Sequence, residues 1–452
     1  MTSAAVETTP VPDASAILSA LVCGPAGRTI AFGRGAVSVE TFRREVRGVA
    51  ATLPDAHCVI NLCEDRYRFL VAFCAAVARG QITLLPPSRE MAVVGAVIAQ
   101  HPECYCLGDR ELSPCPPHYL RLPETLPQCD GPEPMVGRDA LVAVGFTSGS
   151  TGQSRPNPKT WASFMASTAQ NLAALADLLA PGGSTPVVAT VPPQHMYGME
   201  MSVLLPLLGD VAVHSGRPFY PHDVAQALTD APIPPLLVTT PVHLRALVEA
   251  NLPLPPMAGI ISATAPLPVE VARAAEARFG CEVRELFGST ETCIFARRRS
   301  ARETAWTLLP GVHLTPQPGG TSVRAPHLAQ PVVLDDLVEL LGDGRFELSG
   351  RNADLLEIAG KRASLGDLTR KLLGIPGVRD GVMLQLDAAD GGVRRIAALV
   401  VAPGLDEAAV LAGLRGQFDP VFLPRRLRCV AALPRNECGK VPRDALLALL
   451  RG

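Results

Sequence analysis

Apolar runs that predict buried strands alternate with helical patterns along most of the chain. Cys58–Leu62 and Ile82–Leu85 predict two such strands, and Asp65–Ala78 between them predicts a helix that ends before Gly80. A helix between two continuously apolar strands is typical of a β-α-β unit with parallel strands. The pattern therefore predicts a layered α/β domain. The same alternation continues at Pro186–Pro192, Leu236–Thr240 and Gly259–Ser262.

Other stretches depart from this alternation. Residues 1–14 are small, polar and Pro-containing, which predicts a disordered tail. Residues 105–137 are rich in Pro and Cys and predict a loop-rich connection. Near the N-terminus, within Gly35–Leu53, one helix face is marked by Phe42, Val46, Val49, Ala50 and Leu53.

A Gly- and hydroxyl-rich segment follows the apolar run Leu141–Gly145. Glycines let the backbone fold closely around an anion, while hydroxyl and amide groups direct donors into that space, which suits a nucleotide triphosphate. A P-loop lysine is missing at the required spacing, so the segment is not that of a P-loop NTPase. A surface linker of the same composition is the structural alternative. The segment consists of Thr147, Ser148, Gly149, Ser150, Thr151 and Gly152, and Lys159 follows it.

Three further motifs follow in a fixed order: Leu286–Glu291 (LFGSTE), Phe346–Asp354 (FELSGRNAD) and Pro434–Arg443 (PRNECGKVPR). Together with Pro192–Gly198 (PPQHMYG) and the turn at Ser262–Pro268, they resemble the adenylate-forming ANL superfamily. That family includes acyl- and aryl-CoA synthetases, nonribosomal adenylation domains and luciferases. The resemblance covers nearly the whole chain.

The resemblance implies an α/β fold with two domains. Residues 15–350 would form the large adenylating domain of layered α/β sheets. Residues 351–452 would form a small mobile α+β domain that carries the catalytic lysine, and the hinge would lie at Ala353. Relatives usually carry Asp or Lys at this hinge position.

The same resemblance implies ATP and Mg²⁺ as cofactors and assigns residues to the phosphates. Thr147–Gly152 would bind the β- and γ-phosphates, and Lys159 would support this loop. The insertion between Gly152 and Lys159 (QSRPNP) is longer than in most relatives, so Lys159 is expected to reach less far. Glu291 would hold the metal, because magnesium bridging phosphates commonly takes one protein carboxylate. Thr290 would donate to the α-phosphate.

The rest of the nucleotide is assigned in the same way. Phe287 would stack on adenine beside Gly288, Asp336 would bind the ribose hydroxyls, and Arg351 would reach the ribose or a phosphate. Asp335 is the alternative ribose ligand, and a boundary salt bridge is the alternative role of Arg351.

Lys440 is the expected catalytic residue. A long flexible cation can bridge the incoming carboxylate and the α-phosphate and withdraw with its domain. Glu357 stands where many thioester-forming relatives carry Lys, which leaves the second half-reaction open.

The pocket for the acid would be lined from two segments. His195, Met196, Tyr197 and Met199 supply one side, although His195 could equally be a hydrogen-bonded core histidine. The turn at residues 263–265 supplies the other side. Its members are Ala263, Thr264 and Ala265, of which the last two are also assigned to the nucleotide. Such a lining suits a flat apolar acid with one polar group.

Composition adds little to this picture. The chain has 452 residues and a net charge of −2, which gives no electrostatic footprint for nucleic acid or an anionic membrane. Its 12 cysteines show no metal-binding spacing, so we expect reduced, buried thiols in a cytoplasmic protein. No apolar run is long enough to span a bilayer, and we expect no stable membrane insertion. The N-terminus shows no signal-peptide pattern.

The compact length and the long phosphate loop narrow the resemblance. They look like the small ligases of aryl-polyene and xanthomonadin pigment clusters, which load hydroxybenzoate-type acids onto an acyl carrier protein. The expected partners are therefore an aromatic carboxylic acid and an acyl carrier protein, with CoA as the alternative acceptor. A nucleotide-binding regulatory protein without catalysis is the alternative from another class. A basic cluster that could dock an acidic carrier is formed by Arg415, Arg425, Arg426 and Arg428.

Overall fold

The computed structural model divides the chain into two compact units. The first comprises Met1–Arg302 with Pro326–Ala329, and the second comprises Glu303–Ala325 with Gln330–Gly452. The structure describes residues 17–147, 155–351, 355–358, 361–386, 395–415, 417, 419–435 and 441–451.

The first unit contains sixteen strands and nine α-helices among its described residues. Its strands are β1 (Leu18–Ala20), β2 (Thr29–Phe32), β3 (Val37–Ser38), β4 (Cys58–Asn61), β5 (Ile82–Leu85), β6 (Tyr105–Gly108), β7 (Tyr119–Arg121), β8 (Met135–Gly137), β9 (Leu141–Thr147), β10 (Arg155–Thr160), β11 (Thr185–Ala189), β12 (Val211–His214), β13 (Leu236–Thr239), β14 (Gly259–Ser262), β15 (Val283–Ser289) and β16 (Cys293–Arg298). Its helices are α1 (Val39–Ala50), α2 (Arg66–Ala78), α3 (Met91–Gln100), α4 (Trp161–Leu175), α5 (Met196–Met199), α6 (Leu205–Leu208), α7 (Pro221–Thr229), α8 (Pro241–Glu249) and α9 (Val269–Phe279).

One sheet of this unit has six strands in the order β10-β9-β5-β4-β6-β7. Strands β9, β5, β4, β6 and β7 run parallel, and β10 returns antiparallel to β9. The predicted β-α-β unit is confirmed here as β4, α2 and β5. Helix α2 begins after Asp65, whose side chain accepts a hydrogen bond from the Arg68 N–H at 3.0 Å.

The other large sheet contributes strands in the order β16-β15-β14-β13-β11-β12-β2-β3 to the first unit. The strands from β15 through β2 in this order are parallel, while β16 and β3 run antiparallel to their neighbours. Apolar faces of α7, α8 and α9 pack with this sheet into one buried core. The predicted strands at Leu236–Thr240 and Gly259–Ser262 correspond to β13 and β14, so the layered α/β fold is confirmed.

The second unit combines small sheets with three α-helices in its described part, and its strand pairs are antiparallel except for β26 with β27. Strands β18, β19 and β20 form one sheet, β21, β22 and β17 pair in that order, and β25, β26 and β27 form a third sheet. Its elements are β17 (Trp306–Leu308), β18 (His313–Gln317), β19 (Gly320–Arg324), β20 (Val332–Leu334), β21 (Asp336–Gly342), β22 (Arg345–Arg351), β23 (Leu355–Ile358), β24 (Lys361–Ser364), α10 (Leu365–Leu373), β25 (Asp380–Gln385), β26 (Ile396–Val401), α11 (Glu407–Arg415), β27 (Arg426–Cys429) and α12 (Arg443–Arg451).

Several boundaries differ from the sequence prediction. The first helix is shorter than Gly35–Leu53, because Val37 and Ser38 pair with β2 and Ser38 then caps α1. The stretch 105–137 also contains three short strands, β6, β7 and β8. The domain boundary predicted at residues 350–353 falls inside the second unit and stays a prediction. Across the described ranges, no helix is both long and apolar enough to cross a membrane.

Candidate active site

The carboxyl ends of the parallel strands bring the predicted motifs of the first unit to one edge of a sheet. The segment with His195 follows β11, the turn at residues 263–265 follows β14, and Thr290 and Glu291 follow β15. Ligands of open parallel sheets bind at this edge, because loops from adjacent strands converge there. The large sheet therefore collects both sides of the predicted acid pocket and the predicted metal carboxylate.

At Gly145, the strand that leads into the phosphate loop comes close to both the Thr290 segment and the Met196 segment. A Cβ atom at this position would lie 2.8 Å from Cγ2 of Thr290 and 3.2 Å from Cε of Met196. Gly145 lies in β9, two residues before Thr147, so the strand that leads into the phosphate loop packs directly on Thr290. A side chain at Gly145 would force the Thr290 side chain to shift.

The turn that carries Glu291 is fixed by its own backbone and hydroxyl groups. Strands β15 and β16 form a hairpin in which Ser289 is paired with Cys293. The hydroxyl of Thr292 accepts from the Ser289 N–H at 3.1 Å, and the Ser289 hydroxyl accepts from the Thr292 N–H at 3.2 Å. Cys293 has a φ of +55°, a strained conformation for a non-glycine residue of the kind found at functional sites. Gly288 is required here, because a Cβ would lie 2.2 Å from the Cys293 carbonyl oxygen.

Lys159 contacts this turn directly. It lies in β10, is only 3% exposed, and donates from Nζ to the Glu291 carbonyl oxygen at 2.9 Å. The sequence raised the expectation that the long insertion would shorten the reach of Lys159. The antiparallel pairing of β10 with β9 places Lys159 beside Ala143, where it reaches the Glu291 turn, and its shorter reach towards a phosphate stays a prediction.

A buried carboxylate that the sequence analysis missed supports the same turn. Both carboxylate oxygens of Glu200 accept from the Ile294 N–H, at 3.2 and 3.1 Å, and Oε1 also accepts from Ser167 and Asn171 at 2.9 and 3.0 Å. Glu200 is 1% exposed. Burial raises its pKa, while the hydrogen bonds and the charge of Lys159 oppose that rise. A single acid inside the apolar run after Gly198 was the available sequence signal.

His327 supports the turn from another direction. Its Nε2 lies 2.6 Å from the Thr292 carbonyl oxygen, and its Nδ1 lies 2.5 Å from Oε1 of Gln170. Burial lowers the pKa of His327, which favours the neutral ring. We refer to Lys159, Glu200 and His327 as the turn-support residues.

The acid-pocket segment is held by Tyr197 and Gly198. The Tyr197 hydroxyl donates towards the carbonyl oxygens of Thr239 and Ile261 at 3.2 and 3.0 Å, which ties α5 to the ends of β13 and β14. A Cβ on Gly198 would lie 2.0 Å from the Pro192 carbonyl oxygen, so this position requires glycine. The Tyr197 hydroxyl thus bonds the backbone, which leaves the ring rather than the hydroxyl available to line the pocket.

The remaining pocket residues differ in exposure. Met199 and Ala263 are buried, whereas His195 is half-buried immediately before α5. Thr264 and Ala265 are half-buried, and Thr264 has a φ of +83°, so the turn after β14 holds a strained residue. These placements keep the predicted lining on one edge of the sheet.

Phe287, the predicted adenine-stacking residue, is half-buried in β15. Its ring meets the ring of Phe295 edge to face, with centroids 5.0 Å apart. This contact fixes the ring from one side.

The predicted ribose residues lie in the second unit. Asp336 is half-buried and begins β21, where it pairs with Arg351 of β22. Its carbonyl oxygen accepts from the Thr321 hydroxyl at 2.6 Å, whereas Asp335 is exposed in the preceding bend. Asp336 and Arg351, the two residues assigned to the ribose, are therefore directly opposite each other in a strand pair.

Several predicted residues lie outside the described part of the chain, and their roles stay predictions. The described backbone ends at Thr147 and resumes at Arg155 around the phosphate loop. These residues are Ser148, Gly149, Ser150, Thr151, Gly152, Ala353 and Lys440.

The carboxylate of Glu291 has the chemistry expected of a magnesium ligand. It is half-buried, and its backbone is fixed by Lys159. Among the described residues, no hydrogen bond or ion pair to the carboxylate itself is found. A hard divalent cation prefers such oxygen ligands, so the residue fits the ion that the resemblance implies.

Fold and site together define an adenylate-forming enzyme. The model of the AMP-binding enzyme family matches residues 113–336. A 4-coumarate–CoA ligase of Rhodobacter capsulatus is 32% identical over 306 residues, which are 67% of this chain and 75% of the relative. One from Halorhodospira halophila is 30% identical over 308 residues, covering 65% and 73%.

Solved structures agree at the level of the fold. The ATP-bound MatB of Rhodopseudomonas palustris superimposes with a TM-score of 0.76 at 20% identity, covering 94% of this chain and 96% of that chain. The o-succinylbenzoate CoA synthetase of Bacillus subtilis with its acyl-adenylate gives 0.77 at 15% identity, covering 93% and 95%. The chain belongs to the AMP-binding enzyme family, and it is an adenylate-forming acid–thiol ligase.

Proposed function

We propose that this enzyme activates an aromatic carboxylic acid of the 3- or 4-hydroxybenzoate type and loads it onto an acyl carrier protein. In the first half-reaction the acid carboxylate attacks the α-phosphorus of ATP, and pyrophosphate leaves. In the second, the phosphopantetheine thiol attacks the acyl carbon, and AMP leaves. The products are the thioester, AMP and pyrophosphate.

The observation that carries the proposal is the bond from Lys159 to the Glu291 carbonyl oxygen. It links the strand after the phosphate loop to the turn that carries Thr290 and Glu291. In-line attack needs the phosphates and the acid held in a fixed geometry while negative charge develops. When bound at Glu291, Mg²⁺ would neutralise part of the phosphate charge. Thr290 would donate to the α-phosphate, and Lys440 would bridge it to the acid.

The remaining roles on the nucleotide are proposed from the motifs of the sequence. The proposed roles are phosphate binding by Thr147–Gly152, adenine stacking by Phe287 beside Gly288, and ribose binding by Asp336 with Arg351. The mobile C-terminal domain from residue 351 would bring Lys440 to the adenylate.

An aromatic acid is supported by the pocket and by the relatives. The pocket segments offer the rings of His195 and Tyr197, which suit a flat apolar body, whereas the Met199 side chain is fully buried. Two of the most similar relatives carry the name 4-coumarate–CoA ligase, and coumarate is an aromatic acid. We therefore expect one ring and one polar substituent on the preferred acid.

A carrier protein as acceptor is supported by basic residues of the second unit. Arg415, Arg425 and Arg426 are exposed, and we propose that they dock an acidic carrier. Arg428 is half-buried and donates to the Leu449 carbonyl oxygen at 2.6 Å, so it has a structural role in this cluster. A fatty acid–[acyl-carrier-protein] ligase of Mycobacterium marinum is 28% identical over 136 residues, which are 27% of this chain and 26% of the relative.

The test measures the two half-reactions separately across ionic strength. Holo carrier protein and free CoA serve as rival acceptors for a preformed hydroxybenzoyl adenylate. We expect transfer to the carrier to weaken with salt while adenylation barely changes, because exposed charges are screened. The doubly substituted Arg425→Ala, Arg426→Ala enzyme should lose the salt dependence, and Arg345→Ala, an exposed arginine of β22, is the control.

The second candidate is an aryl-CoA ligase, which the names of the two 4-coumarate–CoA ligase relatives favour. Efficient transfer to CoA, with none to any holo carrier protein, would replace the carrier proposal with this one. Both candidates share the first half-reaction and the same adenylating site.

A further inference from the structure

Three potential metal ligands of different chemical type meet in the first unit, beside the six-stranded sheet. The ligand atoms of Cys58, His101 and Glu103 all lie within 4.8 Å of one another. The sulfur of Cys58 is 3.6 Å from Oε1 of Glu103, and Nδ1 of His101 is 3.8 Å from the same oxygen. None of these residues belongs to the adenylating motifs.

The fold brings the three residues together across parallel strands. Cys58 is the first residue of β4, and His101 follows α3 directly. The next residues turn back at once, because the Cys104 N–H donates to the His101 carbonyl oxygen at 3.0 Å. Strand β6 then pairs with β4 in the register Val59 to Tyr105. One turn of four residues and one strand end therefore supply all the ligands.

A second thiol lies beside the first. The register that pairs Val59 with Tyr105 places Cys58 and Cys104 at neighbouring positions at the start of the two strands. Both side chains are buried in the same apolar core cluster. The group of mutually close ligand atoms offers one sulfur, one imidazole nitrogen and one carboxylate oxygen, and the Cys104 thiol is not part of it.

The spacing of these atoms fits a tetrahedral zinc ion. Zinc binds Cys sulfur at about 2.3 Å and His nitrogen or carboxylate oxygen at about 2.0–2.2 Å, so tetrahedral ligand atoms are roughly 3.3–3.8 Å apart. The two separations of 3.6 and 3.8 Å lie in or at the limit of this range. Mixed sulfur and nitrogen ligands favour zinc over magnesium or calcium, which prefer oxygen alone.

We propose that Cys58, His101 and Glu103 bind a zinc ion, with a water molecule from solvent as the fourth ligand. Binding deprotonates the Cys58 thiol and releases its proton to solvent, and the charge of Glu103 offsets part of the charge of the ion. The ion enters from the surface, because the Glu103 side chain is 52% exposed while that of His101 is 16% exposed. The ring of His101 also packs edge-on against Phe146, which orients it.

The site would tie the start of β4 to the turn before β6. The ring of His101 packs against Phe146, with ring centroids 5.9 Å apart. Phe146 immediately precedes Thr147. The ion is therefore structural, and we expect its removal to lower the thermal stability of the full chain. Chemistry at the adenylating site does not require it.

The experiment measures metal directly. The purified full-length enzyme is incubated with Zn²⁺, freed of unbound metal, and analysed for zinc per chain. A parallel sample receives Co²⁺, whose absorption reports thiolate coordination. We expect one ion per chain and a thiolate-to-cobalt band, both lost in Cys58→Ser and in His101→Ala. A chelator should lower the Tm of the wild type but not that of His101→Ala.

Cys74→Ser is the matched control, because Cys74 is a buried cysteine of α2 whose pKa is raised by burial alone. This variant should keep the ion. If Cys58→Ser does not fold, His101→Ala decides the question, since its side chain is only partly buried. Substoichiometric zinc in the wild type, equal zinc in wild type and His101→Ala, or a Cys58–Cys104 disulfide without metal would each overturn the proposal.

Discussion

The turn that carries Glu291 and the strand that begins at Asp336 hold their predicted ligand-binding carboxylates in different ways. The Glu291 turn is fixed through its backbone by buried charged or polar groups from elsewhere in the chain, Lys159, Glu200 and His327. Asp336 begins strand β21, and its carbonyl oxygen accepts from the Thr321 hydroxyl. In the roles that we propose for them, the first carboxylate acts in the chemistry, whereas the second recognises a sugar.

This contrast predicts different kinetic consequences. Loss of a turn-support residue should lower kcat, because the interaction matters most when charge develops in the transition state. Loss of a ribose contact should raise KM for ATP, because that contact exists in ground and transition states alike. Substitutions on the two sides therefore test the comparison directly.

The largest effect is expected at Glu200. Glu200→Ala leaves the Ile294 N–H and the side chains of Ser167 and Asn171 without their acceptor, in a fully buried site. We expect a loss of about 3–5 kcal/mol in unfolding free energy, since several buried donors become unsatisfied. Glu200→Gln retains one acceptor oxygen and should lose less. Denaturant unfolding that places Glu200→Ala within about 1 kcal/mol of the wild type would contradict this account.

Lys159 should give the next largest effect. Lys159→Met keeps the length of the side chain but removes the donor to the Glu291 carbonyl oxygen, so the turn loses one fixed contact. We expect kcat for adenylation to fall about tenfold to a hundredfold, with a small change in KM for ATP. Lys371→Met, at a partly exposed lysine of α10 in the second unit, is the control. An unchanged kcat in a folded Lys159→Met enzyme would remove Lys159 from the site.

The ribose position gives a smaller and different effect. Asp336→Ala should raise KM for ATP about tenfold with a modest change in kcat, and Asp335→Ala should do little. The exposed bend position of Asp335 and the strand position of Asp336 are the structural basis for this order. Steady-state kinetics that reverse the order would shift the ribose assignment by one residue.

The smallest effect concerns pH. Burial and the nearby Arg217 lower the pKa of His243 to about 4, whereas an unfolded histidine titrates near 6.5. As pH falls below about 6.5, the unfolded chain takes up a proton that folded His243 does not, so stability decreases until about pH 4. His243→Gln removes this contribution.

The measurement is unfolding free energy against pH for both proteins. Between pH 7 and pH 4, the unfolding free energy of the wild type should fall by roughly 1–3 kcal/mol more than that of His243→Gln. Parallel curves would show that the pKa of His243 is not lowered in the folded enzyme.

Much of the fold followed from apolar runs. Strands β5 and β14 lie where continuous apolar residues predicted them, since a strand buried on both faces leaves a local signal. The helix α2 likewise begins next to the predicted Asp65. By contrast, strand β3 was not predicted, because a strand of two residues is too short to show an alternation of apolar and polar positions.

The site was predictable only where its residues lie in motifs. Glu291 and Lys159 stand in recognisable segments, but the contact between them depends on the register of β10 with β9. Glu200 and His327 lie outside the motifs. Their function arises from hydrogen bonds across large sequence separations, which no local pattern encodes.

The surroundings of the cysteines were likewise not predictable from local sequence patterns. Spacing along the chain indicated no metal site, yet Cys58 meets His101 and Glu103 because parallel strands bring distant residues side by side. A parallel register cannot be deduced from cysteine spacing.

The central claim is that the turn with Glu291 is where an aromatic acid is adenylated. Its most direct test is the exchange of labelled pyrophosphate into ATP, measured with a panel of aromatic acids in the wild type and in Glu291→Gln. We predict exchange that requires a hydroxybenzoate-type acid and magnesium and falls about a hundredfold or more in the folded variant. Exchange that needs no acid, or that proceeds equally well in Glu291→Gln, would contradict the account.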